Sequence, residues 1–157
     1  MSNFIPRRPR LGGKRNFAIV ASRFNADYVQ GLVNHASDEL RTLMPQAGIA
    51  LHQVPGAFEI PVLVRELALQ KRADVIIAIG VILKGRTAHA ENLGRAVTDA
   101  LQRIAIEYGV PVINAVLSLE SEAQAQERCL EDKINRGTEA AGAAIEMAGV
   151  MAELRIN

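Results

Sequence analysis

Four short apolar runs alternate along this chain with longer stretches whose apolar residues recur every three or four positions. Asn16-Phe-Ala-Ile-Val-Ala21 and Val75 to Ile82 are nearly unbroken, the pattern of strands covered on both faces. Ile49 to Val54 alternates and is closed by Pro55-Gly56, and Val112 to Leu117 predicts a fourth strand. Between the first two, Val29, Leu32, Val33, Ala36, Leu40 and Leu43 share one helical face, with Asn25 placed to cap it. A second helix is expected from about Ala57 to Lys71, where Pro61 is tolerable only in the first turn. A third spans about Ala90 to Tyr108 and is stopped by Gly109-Val-Pro111. Ser121-Glu-Ala-Gln124 predicts a capping box for a helix to about Leu130, and a last helix runs from about Thr138 to Leu154.

Strands separated by helices imply an α/β fold, a three-layer α/β/α sandwich on a four-stranded parallel sheet. Ligands of such sheets bind beyond the carboxyl ends of the strands. Ser22–Asn25, Val54–Glu59, Val81–His89 and Asn114–Ser118 all fall at predicted strand ends. The chemistry is therefore expected there.

Composition narrows the class. The chain has 157 residues, suited to one domain over residues 16–157, and aromatics are only 4% with no Trp, so Ala, Val, Ile and Leu must build the core. No apolar run approaches the roughly 20 residues of a membrane helix. The single cysteine, Cys129, excludes an internal disulfide and fits a reducing cytoplasm. Residues 1–15 carry Arg7, Arg8, Arg10, Lys14 and Arg15 without one acid, and have no apolar core of the signal-peptide kind. They predict a flexible or partner-draped basic arm. Nucleic acid is not expected as a partner, because the body has no basic stripe with interleaved aromatics.

Several residues near the strand ends carry candidate chemistry. His89, at the start of a helix, is placed to take up and return a proton near neutral pH. Gly85-Arg86-Thr87 offers backbone N–H groups, a hydroxyl and a guanidinium to a phosphate, though it is also the composition of an ordinary turn. Glu59 suits the first turn of a helix for dipole reasons alone. Phe24 is either a stacking platform for a planar ring or a core residue. Arg128 is either a ligand or an exposed helix charge beside Glu127 and Glu131. His35 and His52 are expected to be structural, and no spacing of His, Cys, Asp and Glu suggests a metal.

Taken together, Ser22-Arg-Phe-Asn25, Val54-Pro-Gly-Ala-Phe-Glu-Ile-Pro61, Gly80-Val-Ile-Leu-Lys-Gly-Arg-Thr-Ala-His89, Pro111-Val-Ile-Asn-Ala-Val-Leu117 and Gln126-Glu-Arg128 resemble lumazine synthase in order and spacing. The resemblance extends from about Asn16 to Leu154 and implies a flavodoxin-like strand order. It implies a transferase of riboflavin biosynthesis. That enzyme condenses 5-amino-6-(D-ribitylamino)uracil with 3,4-dihydroxy-2-butanone 4-phosphate to 6,7-dimethyl-8-ribityllumazine, releasing phosphate and water without a cofactor.

By the same resemblance, Phe24 stacks on the pyrimidine, and Ala57, Phe58 and Glu59 hold the ribityl side. Val81, Ile82 and Leu83 meet the pyrimidine edge, Arg86 and Thr87 take the phosphate, and His89 shuttles protons. Asn114 and Arg128 come from a neighbouring subunit, Arg128 to the phosphate. The partners implied are two small-molecule substrates and further copies of the chain. The resemblance implies pentamers, which some members build into shells, and Pro6 and Pro9, which would interrupt strand pairing of the arm, favour a pentamer or small multiple here. Ala90, Arg86, Asn114 and Asp132 depart from the residues usual in the family. The rival reading is a paralogue that binds a lumazine or flavin without catalysis.

Overall fold

The computed structural model describes residues 14–85 and 88–155. Strands β1 (Asn16–Ser22), β2 (Gly48–Val54), β3 (Val75–Leu83) and β4 (Val112–Leu119) form one parallel sheet in the order β2-β1-β3-β4. Helices α1 (Ala26–Leu43) and α5 (Arg136–Arg155) cover one face, and α2 (Ile60–Leu69) and α3 (His89–Tyr108) the other. This is the expected sandwich, with the strand order of flavodoxin-like sheets.

Burial separates the strands as their patterns require. β1 and β3 are buried almost end to end, while β2 and β4 alternate or lie half-exposed. The two unbroken runs are thus the central pair and the weaker ones the edges. Within the centre, side chains alternate between the layers: Phe17, Ile19, Ile77 and Ile79 meet α1 and α5, whereas Ala18, Val20, Ile76 and Ala78 meet α2 and α3. The α1–α5 layer is drawn close by small residues. Gly137 of α5 lies against the Leu32 carbonyl of α1, and Ala140, Ala141 and Ala144 follow it as buried small residues.

Five local expectations are corrected. Asn25 occupies the cap position of α1 but makes no side-chain cap bond there. The predicted helix from Ala57 begins as a 3-10 turn, Ala57–Glu59, so that Pro61 falls in the first turn of α2. Ser121 does cap the next helix, accepting from the Gln124 N–H at 3.2 Å, but Gln124 Oε1 reaches back to the Glu120 N–H rather than its own. That helix is only α4 (Glu122–Ala125) and widens into a π-turn, Gln126–Leu130, closed by the Glu131 N–H on the Gln126 carbonyl. The last correction is to β4. It runs on to Leu119, so Asn114, paired with Ala78, is its third residue and lies well short of the carboxyl end.

Candidate functional site

The carboxyl ends of β1, β2 and β3 converge on one surface, and backbone bonds fix it. The Arg23 N–H is shared between the Val54 carbonyl at 3.0 Å and the Pro55 carbonyl at 3.2 Å, which ties the end of β1 to the end of β2. Ser22 is buried at that end, and its hydroxyl stands 3.1 Å from where a Cβ on Gly80 would sit. A side chain at position 80 would crowd that hydroxyl, so the glycine eases the close approach of β1 and β3 here.

Phe24 then turns outward, 70% exposed, which removes the core alternative. Its ring lies along Gly56, where a Cβ would come within 3.1 Å of Cδ2 and Cε2. Asn25 follows in the left-handed region, φ 57° and ψ 50°, a conformation Asn tolerates better than most residues. Its Nδ2 donates to the Val81 carbonyl at 2.7 Å. The β1–β3 ladder ends at the Ala21–Ile79 pair, so that carbonyl has run past its strand neighbour and needs a donor. Asn25 supplies it and so couples the Phe24 turn to the end of β3. Sequence reasoning placed Asn25 as a helix cap and missed this bond. The signal was its position directly after a strand-end aromatic.

On the β2 side, Glu59 Oε1 accepts the Gly56 N–H at 2.9 Å, one arm of a capping box. One oxygen of this half-buried carboxylate is thus committed to holding the turn. Ala57 is buried and Phe58 is 68% exposed. Along β3, Val81 packs toward α1 and α5, Ile82 toward α2 and α3, and Leu83 is half-buried. With side chains spent on packing, the backbone of this strand end is what a ligand would meet.

Past β3, the Lys84 N–H donates to the Leu119 carbonyl and its ammonium lies 3.6 Å from Glu120, which ties the loop to the end of β4. Arg86 and Thr87 lie outside the described residues. His89 is the first residue of α3 and is exposed, followed by buried Ala90. The first-turn N–H groups and the positive end of the α3 dipole therefore open beside this histidine.

Two sequence-selected residues do not join this surface. Asn114 donates to the Thr98 hydroxyl of α3 at 3.3 Å, and its Oδ1 accepts the Val116 N–H at 2.9 Å. Thr98 lies nine residues along α3 from His89, or about 13 Å at 1.5 Å per residue. Arg128 stands half-exposed in the π-turn, whose buried Cys129 belongs to the α1–α5 layer, across the sheet from α3. Burial pushes the Cys129 thiol up to about 11, against a small lowering by the Arg128 charge. Among the described residues no group of three His, Cys, Asp or Glu is arranged to hold a metal.

A family model described as 6,7-dimethyl-8-ribityllumazine synthase matches residues 14–152. The chain belongs to the lumazine synthase family. A 6,7-dimethyl-8-ribityllumazine synthase of Desulfotalea psychrophila is 36% identical over 156 residues, covering 99% of this chain and 100% of the relative. Among solved structures, a de novo designed Rossmann fold protein aligns over 72% of this chain and 91% of its own, with 16% identity and a TM-score of 0.40. A GDSL-like lipase from Bacteroides thetaiotaomicron aligns over 88% and 89%, with 9% identity and a TM-score of 0.41. The lumazine synthase match spans every candidate from Phe24 to Arg128, including both residues that stand apart from the others.

Proposed function

We propose that this chain carries out the lumazine synthase condensation in pockets completed between neighbouring subunits. Phe24, Ala57, Phe58, Glu59, the β3 end and His89 come from one subunit, and Asn114 and Arg128 from the next. The observation that carries this reading is the displacement of Asn114. It sits on an exposed edge strand, about 13 Å along α3 from His89, and its own chain gives it no route to the pocket.

An unfinished surface around β4 supports the same reading. Val112, Ile113, Val116 and Leu117 are only half-buried, and beside them lies an apolar groove lined by Ala105, Ile106, Val110, Pro111 and Met147. Ile106 alone is 74% exposed. A bare apolar strand edge of this kind is a liability unless another chain covers it. A homo-oligomer of pentameric type would cover it and bring Asn114 to the adjacent pocket. The cytoplasm, where thiols stay reduced, suits a protein with one buried Cys129.

The reaction divides naturally over these residues. An amino group of the pyrimidine adds to the ketone carbonyl and water leaves, giving an imine. Loss of a proton from the adjacent carbon gives an enamine, whose electron pair expels the phosphate with cleavage of its C–O bond. The enol left behind takes a proton at its terminal carbon to become a ketone, the second amine adds to that ketone to close the ring, and a second loss of water completes it. Every step is an addition, an elimination or a proton transfer, so no redox cofactor or metal is called for. His89 moves protons at the mouth of the pocket. The α3 N-terminus, with Arg86, Thr87 and the neighbour's Arg128, holds the departing phosphate. Phe24 fixes the pyrimidine plane, and holding two reactants together supplies much of the acceleration.

The deciding experiment co-assembles two impaired variants, His89→Ala and Arg128→Ala, after dissociation of each. Release of lumazine and phosphate one-to-one, partly restored in the mixture, is the expected result. A mixture no better than its components would place both residues in one subunit's pocket and sink the shared-site reading. A folded wild type that binds a pyrimidine analogue but forms no product would point to the non-catalytic paralogue.

The packing of Phe24 on Gly56 gives a second expectation. Gly56 has an extended backbone (φ −136°), so alanine adds only the contact with the ring and with Glu59 Oε1. Gly56→Ala should change stability by no more than about 0.5 kcal/mol. It should weaken a pyrimidine analogue up to about tenfold, the worth of one misaligned aromatic contact. Calorimetric titration checks this, and unchanged affinity would remove Phe24 as the stacking platform.

A further inference from the structure

The π-turn that presents Arg128 is fastened to α1 at two places one helical turn apart. At the first, Gly31 lies against the Cys129 carbonyl, where any Cβ would come within 2.5 Å of the oxygen. At the second, His35 faces Asp132, just beyond the turn, with Nε2 3.0 Å from Oδ1. The other ring nitrogen, Nδ1, is 2.9 Å from the Gly31 carbonyl. Both ring nitrogens therefore point at acceptors. A neutral imidazole has one donor and leaves one of these contacts as two facing lone pairs, whereas the imidazolium satisfies both.

We propose that His35 is a positioning residue for Arg128, a clamp that holds the Gln126–Asp132 segment against α1 and so sets affinity for the phosphorylated ketone. This rests on the assignment of Arg128 to the phosphate made above. Asn135 fastens the far end of the segment, donating to the Glu131 carbonyl and accepting from the Gly137 and Thr138 N–H groups. Between Asn135 and Gly31, the His35–Asp132 contact is the one that can be made or broken by a proton. A π-turn is a rare, local widening of a helix, and contacts such as these fix which way its side chains point.

The surroundings favour the closed clamp. The cleft around His35 is lined by Asp38, Glu39 and Thr42 of α1, Asp132, and Thr138 of α5, and every other charged group in it is acidic. Arg41 offsets Asp38 only from an exposed distance of 3.7 Å. The hydrogen bond to Asp132 is the main reason the His35 value lies above 6.5; partial burial opposes it, and the Gly31 carbonyl and the Asp132 and Asp38 charges assist. The sign follows directly. A histidine raised on folding contributes fully below its ordinary value, and the contribution is lost as pH climbs through the raised one.

The test is the pH profile of both KM values for wild type, His35→Gln and Asp132→Asn, with Arg128→Ala as reference. The KM of wild type for the phosphorylated ketone should rise about three- to fivefold between pH 6.5 and 9, the scale of a solvent-exposed ion pair. Both clamp variants should show a flat profile at the high-pH value of wild type. The KM for the pyrimidine and kcat should stay unchanged, which separates positioning from a general loss of structure. Clamp variants whose profile runs parallel to wild type, or in which both KM values move together, would overturn the clamp. If Arg128→Ala raises the ketone KM and His35→Gln does not, the clamp alone fails. If Arg128→Ala has no effect, the phosphate assignment fails and takes the clamp with it.

Discussion

Replacing His89 with alanine is expected to lower kcat about a hundredfold and leave a measurable residual reaction. Positioned acid–base groups contribute roughly 10² to 10⁴, and the low end applies here for a structural reason. His89 is exposed at the head of α3, and among the described residues none hydrogen-bonds its ring. Water can reach the same protons. The larger part of the acceleration would come from holding amine and ketone together and from stabilising phosphate as it leaves, and neither depends on imidazole. Both KM values should therefore remain close to wild type. Steady-state kinetics on a variant of native oligomer size, following lumazine and phosphate together, measures this. Turnover equal to wild type would dismiss His89 as the proton carrier; complete silence would mean that the residue does more than move protons.

Most of the architecture was legible because the two central strands are written as unbroken aliphatic runs. Residues Phe17 to Ala21 and Val75 to Ile82 cannot alternate when both faces are covered, and nothing else in the chain competes with that pattern. The placement of the candidate residues was legible where chemistry and position coincide: Phe24, Glu59 and His89 stand just past the strand ends, as expected. It failed where a role depends on a partner far away in sequence. Asn25 looks like a cap until the β1–β3 ladder is seen to stop at Ile79, which leaves the Val81 carbonyl to be satisfied from the side. Asn114 looked like a strand-end residue because the predicted strand stopped at Leu117, while the alternation Leu117-Ser118-Leu119 carries β4 further. The π-turn has no sequence signature. It buries Cys129 and lays that residue's carbonyl against Gly31, a constraint set by helix packing rather than by local propensity.

That constraint predicts the largest effect on stability. Gly31→Ala would place a methyl group 2.5 Å from both the Cys129 carbonyl oxygen and Leu130 Cδ2, and 3.3 Å from the Cys129 carbonyl carbon. Leucine can swing aside, but a backbone carbonyl inside a hydrogen-bonded turn cannot. Relief must come from moving the π-turn off α1 or parting α1 from α5, and the second is resisted by the buried contacts of Gly137 against the Leu32 carbonyl. Overpacking of a rigid site costs about 3 kcal/mol, which for a chain of this size lowers the unfolding midpoint by about 10 °C. The better helix propensity of alanine returns less than about 1 kcal/mol and cannot offset it. Gly142→Ala is the matched control: it is also helical, a Cβ there meets nothing within 4 Å, and it should stabilise by about 0.5 kcal/mol. Thermal unfolding of both variants at one protein concentration decides the matter. Equal midpoints would show that the π-turn yields freely. It would then be too loose to aim Arg128, and the role given to that turn in phosphate binding would have to be abandoned.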